Sequence, residues 1–459
     1  MKKQKFISRG HFDFYKTTIW VLLLFAAFII ISSCRKKSDP DCNCASLNDG
    51  GFEVISHTEL DIQDISDQLM AFPDDPNPDH FDYHDFYFGT TQLAGGQAGG
   101  IMPFLIAHDA VRYNSTDNKG NKIQLTGLLI YPYYFPPLAK VNAPIISVNH
   151  GTQILKRLAP SKWKKAGWKD WKDFPEVVIA DIMASWYGWI IIMPDYQGMG
   201  DDVGENHPYC VNDRLANATA DMVQSAIATM SCHPYAKWNG KTFLYGFSEG
   251  GFVTMAAARE LEARNVKLNG VVCMDGPYDL SGTMLDVMLS DNPFPVPYFL
   301  PMLMVGYNTM YKKNFEYDPM LKAPYKTDIP QYTTGFYDET VVNSKMPSDK
   351  ILKKIFTDAF IDSLKNHQSQ PFKIIYENNA YVNWTPKSKM LLWHCKNDDC
   401  VPFGNFTAAR NRFTEIGLTN VDYVEWPPVE LNPDMGTIHV TVAPRAFYEG
   451  SRWIYNLTK

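Results

Sequence analysis

The spacing of hydrophobic and polar residues changes character several times along this chain. A short apolar run, Ile19 to Ile31, comes first. Farther on, Ala107 to Asn114 and Gln124 to Tyr131 alternate apolar and polar residues, the period of two that marks strands. Between them lies Ser115-Thr116-Asp117-Asn118-Lys119-Gly120-Asn121, a turn-rich segment that predicts a hairpin and an antiparallel start to the sheet. From Pro144 the strand runs lose their alternation. Pro144–Asn149, Trp189–Met193, Thr242–Tyr245 and Gly270–Met274 have the composition of strands buried on both faces, as parallel sheets require. Helix-period stretches separate them at Val177–Ser185, Leu215–Met230 and Glu249 to about Arg264. Helix and strand alternating across short loops means crossovers and a mainly parallel sheet.

After Pro277 this rhythm stops. Residues 281–386 show proline-rich patches, a Met/Leu/Tyr run from Val296 to Met310 and a helical stretch from Asp349 to Leu364. A compact domain does not tolerate so long a structureless loop, so this segment is expected to be a helical cap inserted over the sheet. The apolar run Phe299 to Met304 within it suits an acyl-binding wall, or simply core. The alternation resumes with strand Met390–Cys395, helix Asn405–Ile416, strand Val421–Trp426 and a C-terminal helix containing Trp453. The core is therefore expected in residues 52–280 and 387–459, and no internal repeat interrupts it.

The first run changes the picture of where the chain resides. Lys2, Lys3, Lys5, Arg9 and Lys16 precede an apolar stretch too short to span a bilayer, the layout of a secretory signal. It ends in Ile31-Ser32-Ser33-Cys34, which resembles a bacterial lipobox. That resemblance implies a signal peptide over 1–33, lipid on Cys34, a tether over 34–51 and a chain anchored in the bacterial cell envelope without a spanning helix. The net charge of −7 is mild and gives no reason to expect a nucleic-acid partner. Eight cysteines leave seven beside Cys34, an odd number. Cys395 and Cys400 are the better candidate pair, whereas Cys210 and Cys232 flank a helix. Cys42-Asn43-Cys44 has no second pair beside it, so neither a metal site nor a cofactor is expected. The lysine- and tryptophan-rich stretch Lys156 to Asp173, with Trp163, Trp168 and Trp171, reads as a solvated surface loop with partly buried aromatics rather than as a substrate or membrane-surface contact.

The chemistry gathers around Gly246-Phe247-Ser248-Glu249-Gly250, a G-x-S-x-G sequence with a strand before it and a helix after it. Such a turn is strained, projects its serine outward and leaves no room for a Cβ at either glycine. A serine nucleophile needs a base, an acid to hold that base, and donors for the oxyanion. The acid candidate is Asp398, in the loop after a late strand; Asp399 is its rival and Asp275 a more distant one. The base candidate is His439, expected on a loop between the last strand and the last helix. His108, His207 and His367 fall in no comparable place. The oxyanion candidates are the backbone amides of Glu249 and, after strand Pro144–Asn149, Thr152 in His150-Gly151-Thr152-Gln153.

Nucleophile, acid and base in that chain order, with Asp398-x-x-Val401-Pro402 closing the acid loop, resemble the α/β-hydrolase superfamily. Gly188-Trp189, Pro194-Asp195-Tyr196-x-Gly198-x-Gly200 and His207-Pro208-Tyr209 look like its secretory lipase (lipase A-type) group. The resemblance implies an α/β-hydrolase fold, a mainly parallel sheet with an antiparallel start and an inserted helical cap. It also implies hydrolysis of a small-molecule or lipid ester through an acyl-enzyme on Ser248. Two alternatives stay open: a serine peptidase of the prolyl-oligopeptidase type, and a catalytically silent surface lipoprotein that binds a ligand under its cap.

Overall fold

The computed structural model describes residues 50–69, 77, 80–94, 104–117, 119–134, 139–163, 173–202 and 204–459. Cys34 and the proposed signal peptide lie outside the described residues, as do Trp168 and Trp171. The described chain starts with β1 (Glu53–Leu60), α1 (Ile62–Leu69) and α2 (Tyr83–Leu93). The hairpin β2 (Leu105–Thr116) and β3 (Lys122–Tyr133) follows, then β4 (Val141–Asn149), α3 (Pro175–Tyr187) and β5 (Ile190–Pro194). Next come α4 (Asn212–Met230), β6 (Ala236–Phe247), α5 (Glu249–Ala263) and β7 (Gly270–Met274). Seven helices fill the stretch before the next strand. They are α6 (Thr283–Leu289), α7 (Phe299–Tyr311), α8 (Tyr317–Met320), α9 (Tyr325–Tyr332), α10 (Glu339–Asn343), α11 (Asp358–Lys365) and α12 (Gln370–Glu377). The chain closes with β8 (Met390–Cys395), α13 (Gly404–Glu415), β9 (Val421–Trp426) and α14 (Ile438–Thr458).

All nine strands form one sheet in the order β1-β2-β3-β5-β4-β6-β7-β8-β9. The first three join antiparallel, and β3 meets β5 antiparallel. Every pairing from β5 to β9 is parallel. The expected antiparallel start and parallel body are both present. Period-two alternation divides the core into two faces. Ile145, Leu244 and Val271 pack with Met222 of α4 and Val253 and Leu261 of α5. Their neighbours Ile146, Phe243 and Val272 pack on the other side with Ile182 of α3 and Val442 and Ile454 of α14. Apolar residues of α6–α12, among them Leu300, Leu303 and Phe360, join the first of these cores.

Four expectations need correction. The stretch Asp349 to Leu364 is not one helix. A 3-10 turn at Leu352–Ile355 ends where Phe356 bridges Leu321, and the Thr357 hydroxyl then caps a new helix by accepting from Phe360 N at 3.2 Å. Cys395 and Cys400 are not paired: both are buried free thiols. Their sulfurs contact different partners, Asn397 and Pro427 O for Cys395 and Asp399 for Cys400. The start of the lysine- and tryptophan-rich stretch is packed rather than solvated. Lys156 is 5% exposed, whereas the burial of Trp163, 4.3 Å from the His108 ring, is in keeping with partly buried aromatics. Ser161 N donates to buried Asp195 at 2.8 Å, which draws these turns onto the sheet. His439 is not on a loop but is the second residue of α14.

Candidate active site

Strand β6 delivers Ser248 into a turn with φ 60° and ψ −129°, a conformation rarely adopted by a residue with a side chain. Three backbone bonds hold it there. Ser248 N donates to Met274 O at 2.9 Å, and Ser248 O accepts from Gly251 N and Phe252 N at 2.9 and 3.1 Å. The flanking glycines have no alternative. A Cβ on Gly250 would stand 1.9 Å from Asn149 O, and one on Gly246 would stand 2.2 Å from Gly250 O. Glu249 opens α5, so its amide is one of the donors that a helix start leaves without an intrahelical partner.

The carboxylate that meets the His439 ring belongs to Asp398. Its Oδ2 accepts from His439 Nδ1 at 2.5 Å. Its Oδ1 accepts from Cys400 N and Val401 N at 2.9 and 2.8 Å. Burial by itself raises this carboxyl's pKa, but the charge and hydrogen bond of His439, with lesser help from His394 and Val401 N, hold it below the usual range. The other imidazole nitrogen, Nε2, is buried with no hydrogen-bond partner among the described residues. The Phe247 ring, one residue before Ser248, stacks on His439 at 4.6 Å.

The two rival aspartates do different work. Asp399 accepts from the backbone amides of Ile438 and His439, each at 3.2 Å, and so anchors the start of α14. Thr437 adds a side-chain cap to Val440 N at 3.1 Å. Asp275 is fully buried and accepts from Cys395 N at 2.9 Å. Desolvation first, and the negative Asp398 second, push its carboxyl well above the ordinary range. His394 donates through Nε2 to Val401 O at 2.8 Å. Burial, against the pull of Asp398, depresses its pKa to about 4. Asp275, His394 and Asp398 each bring one metal-ligating atom within 4.8 Å of the others, as do Asp398, Asp399 and Cys400. Protein hydrogen bonds already engage atoms in both sets.

On the opposite side, Gly151 faces Ser248 closely enough that an added Cβ would lie 3.8 Å from the serine Cβ. Its amide donates to Glu176 at 3.0 Å, which leaves the next amide, that of Thr152, as the candidate donor on this loop. The Thr152 hydroxyl lies 2.9 Å from the hydroxyl of Tyr209. The Glu249 carboxylate, fully buried, lies 2.7 Å from His207 Nε2. The sequence reading missed His207, Tyr209 and Glu176. The signal for the first two was their place in His207-Pro208-Tyr209, quoted only as a mark of resemblance. Beside Ser248 lies a cleft open to solvent lined by Leu280, Met284, Met288, Phe299 and Leu303, a predominantly apolar wall supplied by α6, α7 and the loop before them.

No protein-family model matches this sequence, and no curated protein sequence matches it. Solved structures do. A protein from Legionella pneumophila superposes with a TM-score of 0.68 at 20% identity, covering 88% of this chain and 98% of its own. The rice cell wall degrading esterase LipA from Xanthomonas oryzae gives 0.65 at 22% identity, covering 87% and 97%. Candida antarctica lipase A gives 0.56 at 14% identity, covering 84% and 78%. At such identities the likeness is one of fold, and with its nine-stranded sheet this chain has the α/β-hydrolase fold.

Proposed function

We propose that this protein is a serine hydrolase that cleaves carboxylic esters. The observation that carries the reading is the 2.5 Å contact of buried Asp398 with His439 Nδ1, which leaves Nε2 without a hydrogen-bond partner among the described residues, the ring itself stacking on Phe247 beside Ser248. Ser248 Oγ attacks the ester carbonyl while His439 Nε2 takes its proton. Asp398 holds the tautomer and stabilises the imidazolium. The amides of Glu249 and Thr152 receive the oxyanion. The imidazolium then protonates the leaving alcohol, and water repeats the sequence on the acyl-enzyme. Residues 281–386 act as a cap: α6 and α7 line the apolar space beside Ser248, which suits the acyl part of an ester. The esterase and lipase named among the structures of like fold are consistent with this chemistry. Cys34 carries the lipid that holds the enzyme to a bacterial envelope membrane.

A fluorophosphonate probe is expected to label the purified protein at Ser248 and to leave Ser248→Ala unlabelled. Across p-nitrophenyl esters and aminoacyl-nitroanilides, turnover is expected on the esters. Labelling with turnover only of the anilides would make the protein a peptidase. Neither labelling nor turnover would make it a binding protein.

A further inference from the structure

One short segment touches both residues whose amides are assigned to the oxyanion. His207 Nε2 lies 2.7 Å from Glu249 Oε1, and the Tyr209 hydroxyl lies 2.9 Å from Thr152 Oγ1. The first contact has its proton fixed by geometry. His207 Nδ1 is 3.1 Å from the Gln197 carbonyl, an acceptor only, so Nδ1 carries a hydrogen. Nε2 and the Glu249 carboxyl then share one further proton, as imidazolium with carboxylate or as imidazole with carboxylic acid. Side-chain exposure is 9% for His207 and zero for Glu249, so water does not compete for this bond.

The segment is itself braced from two sides. The Tyr196 ring stacks on His207 at 5.9 Å and 17°, and its hydroxyl donates to His150 O at 3.0 Å. On the other side sits the backbone of α7. A Cβ at Gly306 would stand 2.8 Å from Tyr209 N and 3.1 Å from His207 O, so the helix seats there only because residue 306 is glycine. Glu249 and Thr152 belong to different elements, α5 and the loop after β4. Their amides converge on one oxygen only if something fixes both, and this segment bonds to both side chains.

We propose that His207 and Tyr209 are positioning residues that set the two oxyanion donors, with α7 of the inserted segment holding them in register. The inference rests on the serine-hydrolase reading and on Glu249 and Thr152 as donors.

The test uses the full-length protein, p-nitrophenyl butyrate and an alkyl trifluoromethyl ketone. In the ketone adduct the Ser248 oxygen bonds to the carbonyl carbon, its proton passes to His439, and the carbonyl oxygen becomes an anion between the donors. Tyr209→Phe keeps the ring and removes the hydroxyl that meets Thr152 Oγ1. His207→Phe keeps a ring beside Tyr196 but leaves the Glu249 carboxyl without its partner, and His207→Gln returns an amide donor. Misplacing one donor is expected to lower kcat by roughly 10- to 100-fold in each Phe variant and to weaken ketone binding by the same factor. KM should move by less than about threefold, the split expected when only the transition state loses an interaction. His207→Gln should recover most of both losses. If an active parent's Tyr209→Phe variant kept its kcat and ketone affinity, this inference alone would be overturned. The same holds if kcat fell while ketone affinity did not. A parent that turns over no ester and takes no phosphonate overturns the underlying reading, and the inference with it.

Discussion

Asp398 and Asp399 are adjacent in sequence but act on different parts of His439. Asp398 meets the imidazole, whereas Asp399 meets the backbone amides at the start of its helix. Asp398→Asn is therefore expected to lower kcat by up to about 10⁴-fold with the fold intact, because the ring loses its tautomer control. Asp399→Asn still accepts the amides and should lose far less; equal losses would place the acid at Asp399. Asp275 tests the electrostatics. Its folded pKa is raised, so the folded protein keeps a proton that the unfolded chain releases above about pH 4. The stability from that group is present below this pH and is lost as pH rises toward the folded value. Asn stays neutral in both states and keeps an acceptor for Cys395 N. Asp275→Asn is expected to gain Tm over the parent at pH 8, with the gap closing toward pH 4. A gap independent of pH would mean that Asp275 is ionised in the folded state. That His439 meets a carboxylate of the loop after a late strand was legible from chain order, with Asp398 ahead of its rival Asp399. The roles of Asp399 and Asp275 were not, because they depend on how β7, β8 and α14 lie beside one another.

At the scale of elements, the strand-turn-helix around Ser248 was the most legible part of the chain. Its glycines are the reason. Gly250→Ala would press a methyl group into Asn149 O, backbone that has nowhere to move. It is expected to cost about 3 kcal/mol in a urea melt. Gly204→Ala, where a Cβ meets nothing, is the control and should change little. The start of α14 was less legible. Thr437 is a good capping residue, yet its neighbour His439 was expected on a loop, because the second anchor of this helix, Asp399, lies far away in sequence. Local propensity supplies half of this helix start and a tertiary contact supplies the other half.

At the scale of the molecule, the segment between β7 and β8 is proposed to select what reaches Ser248. Leu303 of α7 lines the apolar space there. Leu303→Trp should fill part of it, lowering turnover of p-nitrophenyl octanoate relative to acetate by about tenfold, the scale at which one apolar contact discriminates. An unchanged ratio would place the acyl chain elsewhere. The proposed lipid anchor is a separate matter. Cys34→Ser is expected to abolish labelling by a palmitate analogue in cells and to release the protein from the membrane fraction. Unchanged labelling would remove the anchor from this account.

The sequence by itself determined the alternation of strands and helices through most of the sheet, the antiparallel start, the strained serine turn, and a short list of acids for His439 headed by Asp398. These follow from periodicity, from glycine sterics and from chain order, all of them local or one-dimensional. Tertiary structure alone decided what long-range contacts create. Cys395 and Cys400, close in sequence, send their sulfurs to different partners and stay free. Lys156, in a stretch that reads as solvated, is packed inside. Glu249, whose sequence role is only an amide after the serine, has its carboxyl buried against a histidine 42 residues earlier. A buried charge finds its partner through space, and the spacing of residues along the chain carries no record of that distance.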